Sequence, residues 1–271
     1  MQLSVHAWTF DLSCPGATTL DEAAARLAAC WRQSLDEGAD VVLLPEYAWG
    51  GLWLFEPDTA KLSAEIWDRI WPEYAAEIPS DKLVVAGSAP FVHPDGRTTN
   101  RALVSGHSGV DKIHLTPFEA QDFHPAQTEL PLFTVKGVKT AVLICLDIES
   151  PFLSAGVLAQ QRPELILVPS ATESILGVDR VNRCASARSV EHCAAVVVTH
   201  LTGETELDLL DKNQGWSALY LPAQSPLADQ DRSQTSALHQ HGTHLSRFSI
   251  DISAIRAARA NPSETNPFFM P

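Results

Sequence analysis

Three residues in this sequence are of types that carry out covalent acyl chemistry, and each belongs to an apolar run. Glu46 closes Leu43-Leu-Pro-Glu46, Lys112 lies inside Val110-Asp-Lys-Ile-His114, and Cys145 closes Thr140-Ala-Val-Leu-Ile-Cys145. A thiol can attack a carbonyl carbon and hold the acyl group as a thioester. A carboxylate recessed among apolar side chains has a raised pKa, which suits it to take and return a proton. A neighbouring ammonium favours the thiolate and steadies a developing oxyanion. Singly, each residue also has an ordinary reading: a solvated loop glutamate, a lysine guarding a strand edge, an inert core cysteine. Glu46 departs from the ordinary through its flanks, apolar before it and Tyr47-Ala-Trp49-Gly-Gly51 after it, which imply a recess. Cys145 does so because the chain turns just beyond it toward Pro151 and a helix, where a backbone N–H can face an oxyanion.

The elements that must deliver these residues alternate along the chain. Leu3, Val5 and Ala7 alternate with polar neighbours as in a strand. Thr19-Leu-Asp-Glu22 has the form of a capping box, with Leu20, Ala24, Leu27, Trp31 and Leu35 on one helical face behind it and Gly38 as the stop. Val41–Leu44 suits a strand covered on both faces. The spacing of Leu62, Ile66, Ile70 and Tyr74 predicts a helix from near Thr59 to Glu77, and a strand follows from Leu83 to Gly87. A hairpin joins 101–104 to 110–114 through Gly106-His-Ser-Gly109, and a second turns at Lys136-Gly137 into 140–144. A short helix after Pro151, a strand at 165–168, a helix at 178–193 and a strand at 194–199 come next. Strands at 216–221 and 247–250 and a short helix after Ser253 complete the pattern. It predicts a single α/β domain over 1–271, with a mixed sheet layer covered by helices.

The formal net charge of −14 argues against binding a phosphate backbone, so no nucleic acid is expected as a partner. Met1–Phe10 lacks the basic-then-apolar form of a signal peptide, and no run is long enough to span a membrane. Five scattered cysteines, an odd number, point to free thiols and a reducing cytoplasm. Neither a Walker loop nor a dinucleotide fingerprint is present, so no cofactor is implied. His239-Gln-His241-Gly-Thr-His244 reads as a polar loop, with no cysteine or acidic cluster to complete a metal set.

In chain order, Glu46, Lys112 and Cys145 with their local strings resemble the nitrilase superfamily of carbon–nitrogen hydrolases, whose members use a Glu–Lys–Cys triad. Lys112-Ile-His-Leu-Thr-Pro-Phe118 and Ile144-Cys-Leu-Asp147 are similar to the family's lysine and nucleophile segments. Asp95-Gly-Arg with Asn100, Leu165-Ile-Leu-Val-Pro169, Ala187-Arg-Ser-Val-Glu191 and Gly215-Trp-Ser217 extend the likeness over about 3–252, leaving 253–271 as a tail. Two strings depart from it. Leu146 stands where an aromatic residue is usual, and Ser150-Pro-Phe152 where Phe-Pro-Glu is usual.

The resemblance implies an αββα sandwich that pairs with a second copy into a homodimer or higher oligomer. It assigns proton transfer to Glu46, nucleophilic attack to Cys145, and oxyanion stabilisation to Lys112 and the Leu146 backbone N–H. Glu119 matches the family's second glutamate and would orient Lys112 or the substrate. Trp49, Phe118, His124, Phe152 and Glu173 fall in the loops that would ring the site and are candidates for lining the pocket. The activity expected is hydrolysis of a small-molecule amide, with a nitrilase or an acyl transferase on the same triad as alternatives. Asp147 matches the amidase-like pattern and not the Cys-x-Glu of nitrilases. A degenerate binding member would be expected to lose a triad residue, and none is lost.

Overall fold

The protein is described by a computed structural model over residues 1–126 and 130–261. Its first half comprises β1 (Gln2–Asp11), α1 (Leu20–Asp36), β2 (Val41–Leu44), α2 (Thr59–Ala64), α3 (Trp71–Ala75), β3 (Leu83–Val92), β4 (Thr98–Val104) and β5 (Val110–Asp111). The second half contains β6 (Leu132–Val135), β7 (Val138–Val142), α4 (Ala159–Gln161), β8 (Leu165–Ser170), α5 (Ile175–His192) and β9 (Ala195–Glu204). Then come β10 (Lys212–Asn213), β11 (Ala218–Tyr220), β12 (Ser233–Thr235), β13 (His244–Asp251) and α6 (Ile252–Ala260).

β1 shows how the layers arise. Successive side chains of a strand face opposite ways. Leu3, Val5 and Ala7 enter one hydrophobic core, while Trp8 and Phe10 enter another. The same split holds in β2, where Val41 and Leu43 face the first core and Val42 and Leu44 the second. The first core lies between two sheets, and the second lies under α1 and α2, with Leu27, Trp31, Leu62 and Ile66 packed in it. One sheet runs β13-β1-β2-β3-β4-β5, the other β12-β11-β9-β8-β7-β6. Among the described residues they are joined where β1 meets β9, at Phe10–Leu201 and Asp11–Thr202. α5 covers the outer face of the second sheet through β9 and β11. The layers are therefore helix, sheet, sheet, helix: the αββα sandwich expected from the resemblance.

Several predicted elements differ in detail. Thr19 caps α1 by accepting from the Glu22 N–H at 3.2 Å, but the Glu22 carboxylate reaches back to Thr18 at 2.8 Å, so the capping box is displaced by one residue. The helix expected over 59–77 is α2 and α3 joined by a π-helical stretch, Glu65–Ile70. β5 stops at Asp111, so the lysine follows a strand instead of lying within one. The tail begins as α6, with Ile252 and Ile255 buried in the first core; the remainder, 262–271, lies outside the described residues.

Candidate active site

Each candidate residue stands where a strand has just ended. Pro45 interrupts β2, since it lacks the N–H a ladder needs, and Glu46 follows at 1% exposure. The next residue, Tyr47, has φ +53°, a left-handed conformation uncommon outside glycine, and its N–H donates to Ser88 Oγ at 2.9 Å. Gly87 makes room for this loop: a Cβ there would lie 2.3 Å from the Pro45 carbonyl oxygen. Lys112 is held past the end of β5 by its own N–H donating to the Asn100 carbonyl at 2.8 Å. Cys145 begins a 3-10 turn (Cys145–Glu149) beyond β7, with φ +48°. Left-handed backbone costs a non-glycine residue about 1–3 kcal/mol, a strain that functional sites often retain.

The side chains converge. Lys112 Nζ donates to Glu46 Oε1 at 2.7 Å and to Glu119 Oε1 and Oε2 at 2.7 and 2.6 Å. Asn100 Nδ2 donates to Glu46 Oε1 at 2.9 Å and to Glu119 Oε1 at 3.3 Å. Glu119 also accepts from the Tyr47 hydroxyl at 2.9 Å and from Thr116 N and Oγ1 at 2.9 and 3.0 Å. Glu46 has one further donor, the Ala171 N–H at 2.9 Å, and the carbonyl of the same residue accepts from Cys145 Sγ at 3.7 Å.

Two carboxylates thus share one ammonium in the interior, and their donor sets are unequal. Burial raises the Glu46 carboxyl to about 7, against the pull of Lys112 and with the push of Glu119. Burial acts on Glu119 too, but Lys112 and the Thr116 and Tyr47 donors hold it below the usual carboxylate range. Burial alone would depress Lys112, yet the two carboxylates keep its ammonium more strongly protonated than an ordinary lysine. Burial, then the charge of Glu46, pushes the Cys145 thiol well above its ordinary value, so at rest it is a neutral S–H. The arrangement pairs a neutral nucleophile with a base whose pKa lies near neutrality.

No family model matches this sequence, and no curated protein matches it. Solved structures do match. Nit3 of Saccharomyces cerevisiae, a member of branch 10 of the nitrilase superfamily, superposes with a TM-score of 0.72 at 17% identity, over 97% of this chain and 96% of its own. The NitN amidase from Nesterenkonia sp. AN1 gives 0.67 at 20% identity, over 95% of this chain and 97% of its own. A carbon–nitrogen hydrolase from Helicobacter pylori gives 0.67 at 14% identity, over 96% and 92%. The chain has the nitrilase-superfamily fold.

In this nitrilase-type sandwich, Glu46, Lys112 and Cys145 face one cleft of about 470 Å³, whose walls include Phe118, Leu146 and Glu173. Trp49, His124 and Phe152, expected from sequence to line the pocket, do not. The left-handed turn at Tyr47 sends Trp49 back into the helix-covered core, where it stacks on Trp31 and donates to the Ala86 carbonyl at 2.7 Å. His124 lies exposed outside the cleft, and Phe152 is 85% exposed to solvent. A larger hollow, about 720 Å³, is bounded by Arg97, Asp111 and Gln160 and contains none of the three convergent residues. Among the described residues, no group of three or more His, Cys, Asp or Glu is placed to hold a metal ion. His239 and His244 instead stack ring on ring at 3.8 Å.

Sequence reasoning did not assign Asn100, the Tyr47 hydroxyl, the Ala171 peptide or the 208–213 segment to the site. Only Asn100 carried a signal, as part of the hairpin that resembled the family's. Asp147 also has a different place from the one its motif suggested. It does not line the cleft; it accepts from His114 N at 2.7 Å, Ile113 N at 3.3 Å and Ile144 N at 3.3 Å. It thereby ties the segment after Lys112 to the turn that carries Cys145. Asp147→Ala leaves those N–H groups unpaired and is expected to cost about 2–3 kcal/mol of stability, because hydrogen bonds to a charged group are the strong ones. Thermal melting and kcat should fall together; an unchanged melting temperature would remove Asp147 from this role.

Proposed function

We propose that the protein is a cysteine-dependent amidohydrolase acting on a small amide. The observation that carries this reading is the convergence of Glu46, Lys112 and Cys145 on one cleft, with Lys112 bridging Glu46 and Glu119 at 2.6–2.7 Å. Glu46 takes the thiol proton as Cys145 Sγ bonds to the carbonyl carbon, and the carbonyl electron pair moves onto oxygen. Lys112 and the Leu146 N–H meet that oxyanion, a contribution of roughly 3–4 kcal/mol per donor. Collapse expels the amine, which leaves with the proton held by Glu46. Glu46 then activates water against the thioester, and the acid departs. Glu119, held ionised, keeps Lys112 in place.

Two structures of Nesterenkonia amidase variants support a small-amide reading: one has acrylamide added at the active-site cysteine, another the acetamide moiety of fluoroacetamide. Asp147, turned away from the cleft, does not bear on the choice between amide and nitrile. Glu46 can protonate the amine leaving an amide and equally the nitrogen of a thioimidate formed from a nitrile, so the amide reading is supported by the likeness to the Nesterenkonia amidase.

Ammonia release from amide and nitrile partners with the same side chain tests the proposal, and the amide is expected to be cleaved faster. Because Glu46 must be ionised to act as base, kcat/KM is expected to fall as pH drops through about 7. Preference for the nitrile, or a pH profile flat across this range, would argue against this assignment.

A further inference from the structure

We infer that the substrate carries an ammonium group some distance from the scissile amide, and that this group is held in a second cavity beside the catalytic cleft. The inference rests on the amidohydrolase reading and names the substrate class for the same site.

The cavity measures about 360 Å³. Its apolar walls are Trp53, Phe123, Leu207 and Leu209, and its polar ones are two threonines, Thr59 and Thr98, and two carboxylates, Asp122 and Asp208. Among the described residues, lysine, arginine and histidine are absent from its lining. Neither carboxylate has a salt-bridge or side-chain hydrogen-bond partner among the described residues. Asp208 and Leu209 also line the catalytic cleft, so the two spaces share a wall. Tyr47 stands between them. Its hydroxyl reaches Glu119 beside Lys112 at 2.9 Å, while its ring packs against Trp53 and Phe123 at centroid distances of 6.3 and 5.9 Å. The distance from the charged centre to the aromatic wall is therefore about the width of one side chain.

Aromatic rings beside uncompensated carboxylates suit an organic cation, which meets the negative faces of the rings and the carboxylate charge together. A substrate carboxylate would meet only repulsion there. The cleft's own rim does not oppose this, since its cations Arg180 and Lys212 are paired with Glu149 at 2.6 Å and Glu204 at 3.8 Å. A bare metal ion fits poorly, because four of the eight lining residues offer carbon in place of ligand atoms.

The test uses matched primary amides of increasing chain length ending in ammonium, methyl or carboxylate, beginning from acetamide and glycinamide. Beyond the shortest members, the ammonium series should exceed the methyl series in kcat/KM by about tenfold. The carboxylate series should be poorest, and the preference should shrink in high salt. Asp122→Asn and Asp122→Ala should each abolish the preference while leaving kcat/KM for acetamide unchanged. Equal rates for ammonium and methyl partners at every length would overturn the inference, as would a preference surviving in both variants. Calorimetry of the same amides with the Cys145→Ala protein, with and without Asp122→Asn, reads the cavity independently of turnover. If no amide is cleaved, the hydrolase reading fails while binding still decides the ammonium site; if amides are cleaved without charge preference, only the ammonium site fails.

Discussion

Cys145→Ala is expected to lower kcat by about 10⁴-fold or more while leaving a folded protein, since the acyl group then has no atom to bond to. The substitution removes one buried sulfur whose hydrogen bond, to the Ala171 carbonyl at 3.7 Å, is long and weak, so the melting temperature should change little. The same residue should stand out among the thiols toward small alkylating amides. Cys14 and Cys30 are buried with pKa values pushed up to about 11 and about 12, and Asp11, the carboxylate near Cys14, is held by Ser13 and the Gly242 N–H. Substantial turnover by pure Cys145→Ala protein would end the thioester mechanism.

Lys112→Ala should damage both rate and stability, unlike Lys139→Ala on an exposed strand position. Without the ammonium, Glu46 and Glu119 share only Asn100 between them in the interior, and removing one partner of a buried ion pair costs about 3–5 kcal/mol. For a chain of this size that corresponds to roughly 10 °C in melting temperature at pH 8. The remaining carboxyl pair must hold a proton to stay buried, so its folded pKa lies above the unfolded value. The folded state then binds more protons than the unfolded one, and the variant should lose stability as pH rises and recover it as pH falls. Melting curves from pH 5 to pH 8 read this directly. Equal losses in Lys112→Ala and Lys139→Ala would mark Lys112 as an ordinary lysine.

How far the sequence could be read depended on how local each feature was. Glu46 was legible because an apolar run, a proline and a carboxylate occupy consecutive positions, so the end of the strand and the reactive group are written together. Cys145 was legible for the same reason. Alternation in β1 and the unbroken apolar run of β2 pointed to strands in a helix-covered sheet, and the αββα layering came from the family likeness. Trp49 was misplaced because its direction depends on the backbone sign at Tyr47, and a tyrosine gives no warning of φ +53°. The Ala171 peptide could not be found at all, since the fold brings it to Glu46 across 125 residues and a backbone N–H has no side-chain signature. The 208–213 wall was unreadable for a similar reason: its residues are unremarkable until β9 and β10 set them against the cleft.

The three contacts of Lys112 match its three hydrogens, and at rest all of them face carboxylates. A nascent oxyanion must therefore compete for a hydrogen already in use. In the proposed mechanism the competition eases at one moment only, when Glu46 accepts the sulfur's proton and loses the charge that held its share of the ammonium. Arming the nucleophile and freeing the electrophile's partner are thus geared to a single proton. Between turnovers the gear stays disengaged: the thiol keeps its hydrogen, the ammonium stays locked, and stray oxidants meet a poor nucleophile. On the proposed mechanism, persistence without a substrate would follow from the same arrangement as turnover.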